Sequence, residues 1–337
     1  MKAMVLTAPG ALALEEVAQP DPAAGQVLVR VTHSGICGTD YKIFNGSIPV
    51  RYPRIMGHEM TGEVVDAGGS AVRPGDRVIV DPELFCGTCF HCGIGQTHLC
   101  PQGMLLGRDA NGGFAEYLTA PASQVFTLPD AIDRRAAPMI QVLTTCVHAQ
   151  RQIDIMPGEY VVVLGLGVTG QLHVQLAKAR GATVIGVTRS ADKLAMAATL
   201  GADITIPGGE RAVQKVREAT EGRGADVVIE TTGVVPQLAA AVEMVRSGGR
   251  ILMFGIITAK EGALPFYDLY YKEIALINAR VAKSEDYPDA IDLVQNGVVR
   301  LEPLISDVMP LRELKAAIGM LGSDGGGQRM KIILDHG

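Results

Sequence analysis

The chain has 337 residues, more than a single hydrophobic core usually serves, so its length predicts two domains. Hydrophobic residues make up 47% and charged residues 20%, a balance typical of globular proteins. The net charge of -6, without a cluster of Lys and Arg, disfavours nucleic acid as a partner. No apolar run reaches the roughly 18 residues that span a membrane, and no secretory signal is recognisable. We therefore expect a cytoplasmic protein with a small-molecule ligand.

Short runs of β-forming residues, separated by glycine and proline, fill the first 130 residues. This spacing predicts a β-rich module with long loops over residues 1–150. The predicted strands are residues 1–6, 26–32, 60–67, 77–81 and 115–119.

Two motifs in this module carry potential metal ligands. Cys37 lies in a Gly-Ile-Cys-Gly-Thr-Asp run, and His58-Glu59 follows about twenty residues later. A thiolate, an imidazole and a carboxylate are ordinary ligands of Zn²⁺, and three protein ligands leave a position for substrate. Each residue alone also has an ordinary structural explanation, because cysteines are often buried and inert.

A second group of ligands is denser. Four cysteines follow one another at intervals of three, three and eight residues within a glycine-containing loop. Thiolates at this spacing can surround one Zn²⁺ tetrahedrally and leave no open position, which predicts a structural zinc site. Disulfides are disfavoured in a reducing compartment. The four ligands are Cys86, Cys89, Cys92 and Cys100.

From about residue 150 the pattern changes to strands that alternate with helices. The first strand, residues 160–164, is apolar throughout, as expected for a strand buried on both faces. The alternation predicts a doubly wound parallel sheet over residues 151–285. The predicted strands are 160–164, 183–187, 203–206, 225–230, 250–254 and 273–279, and the helices are 168–180, 191–200, 210–219 and 236–245. Beyond the sheet we expect helices at 287–296 and 311–321 and a final strand at 330–334.

A glycine pattern, G-x-G-x-x-G, follows the first of these strands and opens a helix. In this context the glycines allow a tight turn, a close approach of pyrophosphate and close packing of the helix on the strand. The pattern therefore predicts a dinucleotide site. Its expected cofactor contacts are Gly165, Gly167, Val168, Thr169 and Gly170.

The end of the second strand distinguishes NAD from NADP. Enzymes that use NAD usually place an acidic residue there, whereas this strand continues into Thr188, Arg189 and Ser190. A cation and two hydroxyls suit the 2′-phosphate of NADP, so the sequence favours NADP over NAD. Lys193, one turn further on, completes the expected contacts. The alternative is that Arg189 is a solvated surface charge and that NAD is used.

Together these motifs resemble the zinc-dependent medium-chain alcohol dehydrogenases, and the resemblance runs from end to end. It is strongest toward the sorbitol, threonine and sugar-acid dehydrogenase branch. It implies a GroES-like, β-rich catalytic domain (1–150), a Rossmann NAD(P)-binding domain (151–285) and a C-terminal return to the catalytic domain (286–337). It also implies transfer of a hydride between NAD(P) and a secondary alcohol, and a homo-oligomer, either dimer or tetramer.

The resemblance assigns roles residue by residue. Cys37, His58 and Glu59 match the ligands of a catalytic zinc. Asp40 matches the acid that orients the histidine, and Thr39 matches the hydroxyl that relays the substrate proton. Thr145 falls where a residue contacts the nicotinamide.

Two positions depart from the family pattern. Gln141 stands where relatives carry a glutamate near the zinc, so we expect Glu59 or water to complete the metal's ligands. Lys42 stands where many relatives carry a histidine that passes the proton to water. It has three readings: a proton carrier with a lowered pKa, a contact for an acidic substrate, or a solvated lysine.

Two alternatives to the alcohol dehydrogenase remain at this stage. One is a zinc-independent quinone or enoyl reductase, although such enzymes usually lack the four-cysteine loop. The other is a nucleotide-binding redox regulator without turnover, for which Gln141 is the one supporting feature.

Overall fold

The computed structural model describes residues 1–323 and 329–337, which divide into two compact units. Unit 1 comprises Met1–Thr144, Lys283–Gly297 and Leu301–Gly337, and unit 2 comprises Thr145–Ala282 and Val298–Arg300. Within the described ranges, no helix is long and apolar enough to cross a membrane.

The first part of unit 1 is β-rich, as its punctuation by glycine and proline predicts. The predicted strands overlap those of the structure, and their ends differ by at most a few residues. The strands are β1 (Lys2–Ala8), β2 (Ala11–Glu16), β3 (Gln26–Gly35), β4 (Arg54–Ile55), β5 (Glu59–Asp66), β6 (Arg77–Val80), β7 (Glu83–Leu84), β8 (Met104–Leu105), β9 (Tyr117–Pro121) and β10 (Val125–Thr127). The helices are α1 (Gly38–Phe44), α2 (Phe90–Gly93) and α3 (Met139–Arg151), and α3 continues into unit 2.

Unit 2 is a parallel sheet with helices between its strands. The strands are β11 (Tyr160–Leu164), β12 (Thr183–Thr188), β13 (Ile204–Pro207), β14 (Ala225–Glu230), β15 (Val245–Met253) and β16 (Ala275–Asn278). The helices are α4 (Val168–Ala179), α5 (Ala191–Thr199), α6 (Ala212–Ala219), α7 (Val235–Met244) and α8 (Phe266–Tyr271).

The strand order β13-β12-β11-β14-β15-β16 confirms the predicted doubly wound sheet. Alternate residues of β11 enter different cores: Val161 and Val163 lie in one, Val162 and Leu164 in the other. This double burial explains why the strand is apolar throughout. The order reverses between β11 and β14, where parallel sheets usually bind their ligands.

One strand of this sheet is longer than predicted. The sequence favours a strand at residues 250–254, but β15 begins at Val245, which pairs with Ala225. The register of β14 and β15 shifts between Ala225 and Val227, so the glycines at 248 and 249 lie in an irregular part of the strand. Hydrophobic periodicity alone does not reveal such an interrupted strand.

The chain then returns to unit 1. The returning elements are α9 (Asp286–Gln295), β17 (Ile305–Pro310), α10 (Leu314–Ser323) and β18 (Lys331–Asp335). Strand β18 pairs antiparallel with β3, so the sheet runs β10-β6-β5-β3-β18-β17, with β9 also paired to β3. Ser284 joins this segment to the β-rich part, because its hydroxyl donates to Asp81 Oδ2 at 2.6 Å. Unit 1 is thus completed by residues from the C-terminal end of the chain.

Candidate active site

The start of α1 fixes the first predicted metal ligand. Cys37 is the residue that caps this helix, and its backbone N–H donates to Asp40 Oδ2 at 2.8 Å. Asp40 is fully buried, and its other oxygen lies 3.4 Å from His58 Nδ1. The same carboxylate therefore holds the turn that carries Cys37 and the ring of His58, which is how carboxylates orient metal-binding histidines.

Cys37, His58 and Glu59 converge in the structure. One ligand atom from each lies within 4.8 Å of the other two. Burial raises the pKa of the Cys37 thiol, but the hydrogen bond and charge of His58 outweigh it, so the pKa lies below its usual value. A thiolate, an imidazole and a carboxylate at this spacing fit a zinc ion. The predicted trio is therefore brought together, and its donors suit the metal.

Glycine makes room for the carboxylate of this trio. Glu59 pairs with Gly35 across strands β5 and β3. A Cβ atom at residue 35 would lie 2.1 Å from Glu59 Oε2. Any larger residue at this position would displace the Glu59 side chain.

Lys331 is a further member of this site that the sequence analysis missed. Its Nζ donates to Glu59 Oε1 at 2.8 Å, to Glu59 Oε2 at 2.7 Å and to the Ile36 carbonyl at 3.2 Å. Burial lowers the pKa of Lys331, but the charges of Glu59 and Cys37 outweigh it, so the pKa lies above its usual value. The sequence does contain a sign of this role. Lys331 is the one charged residue of the predicted final strand, 330–334, and a buried charge needs a partner.

Three further predicted site residues, Thr39, Lys42 and Gln141, also belong to unit 1. Thr39 and Lys42 are both on α1, three residues apart, and hence on one side of the helix. Lys42 is exposed, and no carboxylate within residues 1–323 and 329–337 pairs with it. Gln141 is buried in the first turn of α3, where its backbone carbonyl accepts a hydrogen bond from the Thr144 hydroxyl.

The four predicted cysteines form a compact cluster in the loop between β7 and β8. Their sulfurs are separated by 3.5 to 3.9 Å along four edges. Sulfurs arranged tetrahedrally about 2.3 Å from a zinc ion would be about 3.8 Å apart, whereas bonded sulfurs lie about 2.0 Å apart. The N–H groups of Thr88 and Cys89 lower the pKa of the Cys86 thiol to about 6, whereas burial and the Cys89 thiol raise the pKa of the Cys92 thiol to about 12. The cluster therefore fits a zinc ion.

The three glycines of the loop after β11 lie in different surroundings, and each meets a different requirement. Gly165 has a positive φ of 94°, which favours glycine. A Cβ at Gly170 would lie 2.0 Å from the Gly165 carbonyl, so this glycine lets α4 approach the strand. A Cβ at Gly167 would meet nothing within 4 Å, which leaves space at the start of α4 for a pyrophosphate. The loop thus has the geometry that dinucleotide binding needs.

A threonine that the sequence analysis missed supports this loop. The Thr231 hydroxyl donates to the carbonyls of Leu164 and Gly165 at 3.1 and 2.9 Å.

Cys146, on α3, contacts the Thr169 carbonyl through its sulfur at 3.9 Å. Thr145 is adjacent to Cys146, so the part of α3 that belongs to unit 2 lies beside the first turn of α4, which begins at Val168.

The end of β12 carries the residues predicted to recognise the cofactor's ribose. Thr188 is its last residue, Arg189 is exposed, and Ser190 caps α5 by accepting a hydrogen bond from the Lys193 N–H. In the part of the chain that the structure describes, no carboxylate pairs with Arg189. Its guanidinium is therefore available to a ligand.

Comparison with known proteins agrees with this geometry. Residues 23–130 match the alcohol dehydrogenase GroES-like domain, and residues 168–296 match the zinc-binding dehydrogenase domain. The chain is 33% identical to a sorbitol dehydrogenase of Halalkalibacterium halodurans, with 99% of both sequences covered. It is 32% identical to D-arabitol-phosphate dehydrogenase of Enterococcus avium, covering 99% of this chain and 97% of that one.

A solved structure is equally similar. A protein of Sinorhizobium meliloti 1021, described as a zinc-binding dehydrogenase and bound to NADP, superposes with a TM-score of 0.91. It is 30% identical, and the match covers 99% of this chain and 98% of that one.

The fold and sites define an oxidoreductase that uses zinc and a nicotinamide cofactor. The chain belongs to the zinc-dependent medium-chain alcohol dehydrogenase family. This confirms the predicted family, its GroES-like and Rossmann domains and its activity as an NAD(P)-dependent alcohol dehydrogenase. Membership does not favour the zinc-independent reductase or the regulator without turnover.

Proposed function

We propose that the chain oxidises a secondary hydroxyl of an anionic polyol, a sugar acid or a sugar phosphate, with NADP as the hydride acceptor. One observation carries the proposal: Cys37, His58 and Glu59 converge within 4.8 Å, beside a buried acid that orients the histidine. A second zinc in the loop of Cys86, Cys89, Cys92 and Cys100 holds that loop in place.

In this proposal the protein's own groups position the substrate and move its proton. Cys37, His58 and Glu59 would hold a zinc ion, which would supply Lewis-acid polarisation of the hydroxyl oxygen, and a bound nicotinamide would supply the hydride acceptor. Thr39 accepts the hydroxyl proton and passes it toward solvent. Asp40 keeps His58 in one orientation, and the glycine loop with Thr145 positions the cofactor.

The role of the trio is tested by Cys37→Ser. Because a hydroxyl is a poor zinc ligand, zinc content is expected to fall from two ions per chain to one, and turnover by at least about a thousandfold. Zinc is measured by elemental analysis and turnover by reduced-cofactor absorbance. Cys89→Ser is the matched control: it should remove the other zinc and lower the Tm. Near-normal turnover in Cys37→Ser would exclude the proposed site.

Lys42 supports an anionic substrate. It lies one turn from Thr39 on α1, it is exposed, and its charge is unpaired within the described residues. A free ammonium next to the proton-accepting hydroxyl would bind a carboxylate or phosphate a few bonds from the reacting carbon. The similar arabitol-phosphate dehydrogenase is consistent with such a substrate.

Lys42→Met separates this role from proton transfer. We expect KM for a polyol phosphate or sugar acid to rise roughly 10- to 100-fold, as for the loss of a charge-assisted hydrogen bond. Steady-state kinetics on the matched uncharged polyol should change little. An equal fall in kcat for both substrates, with a shifted pH profile, would instead make Lys42 the proton carrier.

Arg189, with Thr188 and Ser190, supports the preference for NADP. The group carries a positive charge at the end of β12, and none of its three residues is acidic. For Arg189→Ala, we expect kcat/KM with NADP to fall roughly 10- to 100-fold while the value with NAD stays nearly constant. Parallel kinetics with the two cofactors measure this. A wild-type enzyme that prefers NAD, or an equal loss with both cofactors, would contradict it.

The open edge of unit 2 supports a homodimer. Strand β16 ends the sheet, and Ile256, Phe266, Tyr267, Tyr270 and Tyr271 are exposed in the same segment. Together they expose on the order of 800 Å², about what each partner of a stable dimer buries. The other edge strand, β13, is protected by its terminal Pro207. A two-fold axis between Leu276 and Ile277 would pair Ala275 of one copy with Asn278 of the other, and would bring Glu273, just before the strand, near Arg280 of the other copy.

Charge reversal tests this interface. Light scattering should give twice the chain mass of 35.5 kDa for the wild type. Because Arg280→Glu would place two acids together, it should shift the protein toward monomer, and Glu273→Arg added to it should restore the dimer. A monomeric wild type, or no effect of Arg280→Glu, would refute the pairing.

A further inference from the structure

Lys331 and Glu59 form an ion pair that is almost completely shielded from water. The exposed fraction is 6% for the Lys331 side chain and 1% for that of Glu59. Both carboxylate oxygens accept from the one ammonium group, at 2.7 and 2.8 Å. Within the described ranges, no other cation pairs with Glu59. The lysine therefore provides the charge that permits this carboxylate to be buried.

The same carboxylate is proposed as a ligand of zinc. Its oxygens cannot point freely elsewhere, because the side chain lies against Gly35, where even a Cβ would clash. An approaching metal would thus meet a carboxylate whose two oxygens each already accept from an ammonium group. It would also meet a positive charge, and the two cations repel each other at this range.

Lys331 could therefore have either of two roles, and the two have opposite effects on the affinity of the site for zinc. A residue that only orients a ligand helps the metal to bind, and its loss usually weakens binding about 10- to 100-fold. A residue that shares the ligand with the metal opposes binding, and its loss strengthens it. Double occupation of Glu59, with burial of both partners, matches the second case.

We propose that Lys331 takes the place of the metal while the site is empty: it neutralises Glu59, keeps the carboxylate against Gly35, and must yield part of it when zinc binds. Lys331 is in this view a positioning residue that makes the metal-free enzyme stable and limits its affinity for zinc. The inference rests on the proposed role of Cys37, His58 and Glu59 as zinc ligands.

The test compares zinc affinity of Lys331→Met and the wild type, using full-length apoenzyme and a chromophoric chelator as competitor. We expect Lys331→Met to bind zinc at this site at least about tenfold more tightly. Its metal-free form should have a lower Tm, and zinc should restore it, because the unpaired Glu59 would then have a partner. Lys331→Arg, which keeps the charge, should resemble the wild type. Weaker or unchanged zinc binding in Lys331→Met would overturn the proposal.

Further variants separate competition from other causes. In a Glu59→Gln background, Lys331→Met should change zinc affinity by less than about threefold, because the shared ligand is gone. An undiminished gain there would show that charge alone acts and would overturn competition for Glu59. If Lys331→Met does not fold, Lys331→Gln, which can still donate to Glu59, takes its place. Lys178→Met, which removes an exposed lysine paired with Asp203, should leave zinc affinity unchanged.

Failure of this inference is distinguishable from failure of the proposed function. A wild type that holds zinc only in the four-cysteine loop would refute the catalytic site itself. A wild type with both zinc ions, together with weakened binding in Lys331→Met, would refute only the role of Lys331. The zinc of the four-cysteine loop serves as an internal standard in each measurement.

Discussion

The pairing of β3 with both β5 and β18 is the constraint on which the candidate active site depends. Strand β3 leads directly to Cys37, β5 begins at Glu59, and β18 begins at Lys331. Lys331 and Glu59 are 272 residues apart in sequence, and the sheet places their charged groups in contact. Register matters here, because a shift of one residue in β18 would turn Lys331 to the other face. The C-terminal strand is thus part of the site as well as of the sheet.

The three sites differ in how far their parts lie apart in sequence, and this explains what could be predicted. The four cysteines lie within fifteen residues, from Cys86 to Cys100, and spacing alone identifies them. The glycine loop is equally local, since a strand, six residues and a helix define it. In the structure the members of each group lie together, because loop closure over such short distances is governed by local residues.

The trio of Cys37, His58 and Glu59 was only partly accessible to the same reasoning. Cys37 and His58-Glu59 were found because each lies in a recognisable motif. Gly35 and Lys331 were not, because their importance comes from strand register: Gly35 faces Glu59 across a ladder, and Lys331 reaches it from the far end of the chain. Thr231 was missed for a similar reason, since it contacts the Gly165 carbonyl from a different strand end. A sequence pattern reveals ligands better than it reveals the groups that hold them.

The charges around Cys37, His58 and Glu59 explain why one of the missed residues, Lys331, matters to this site. Burial lowers the pKa of His58, but Asp40 and Cys37 outweigh it and raise this pKa well above its usual value, whereas Lys331 is paired with Glu59. Without Lys331, the buried carboxylate of Glu59 would have no cationic partner among the described residues in the absence of metal, which is costly in a low-dielectric interior. With zinc bound at the trio as proposed, the positive charge of Lys331 would reduce what the metal gains from binding. It would also leave the zinc less neutralised, and so a stronger Lewis acid.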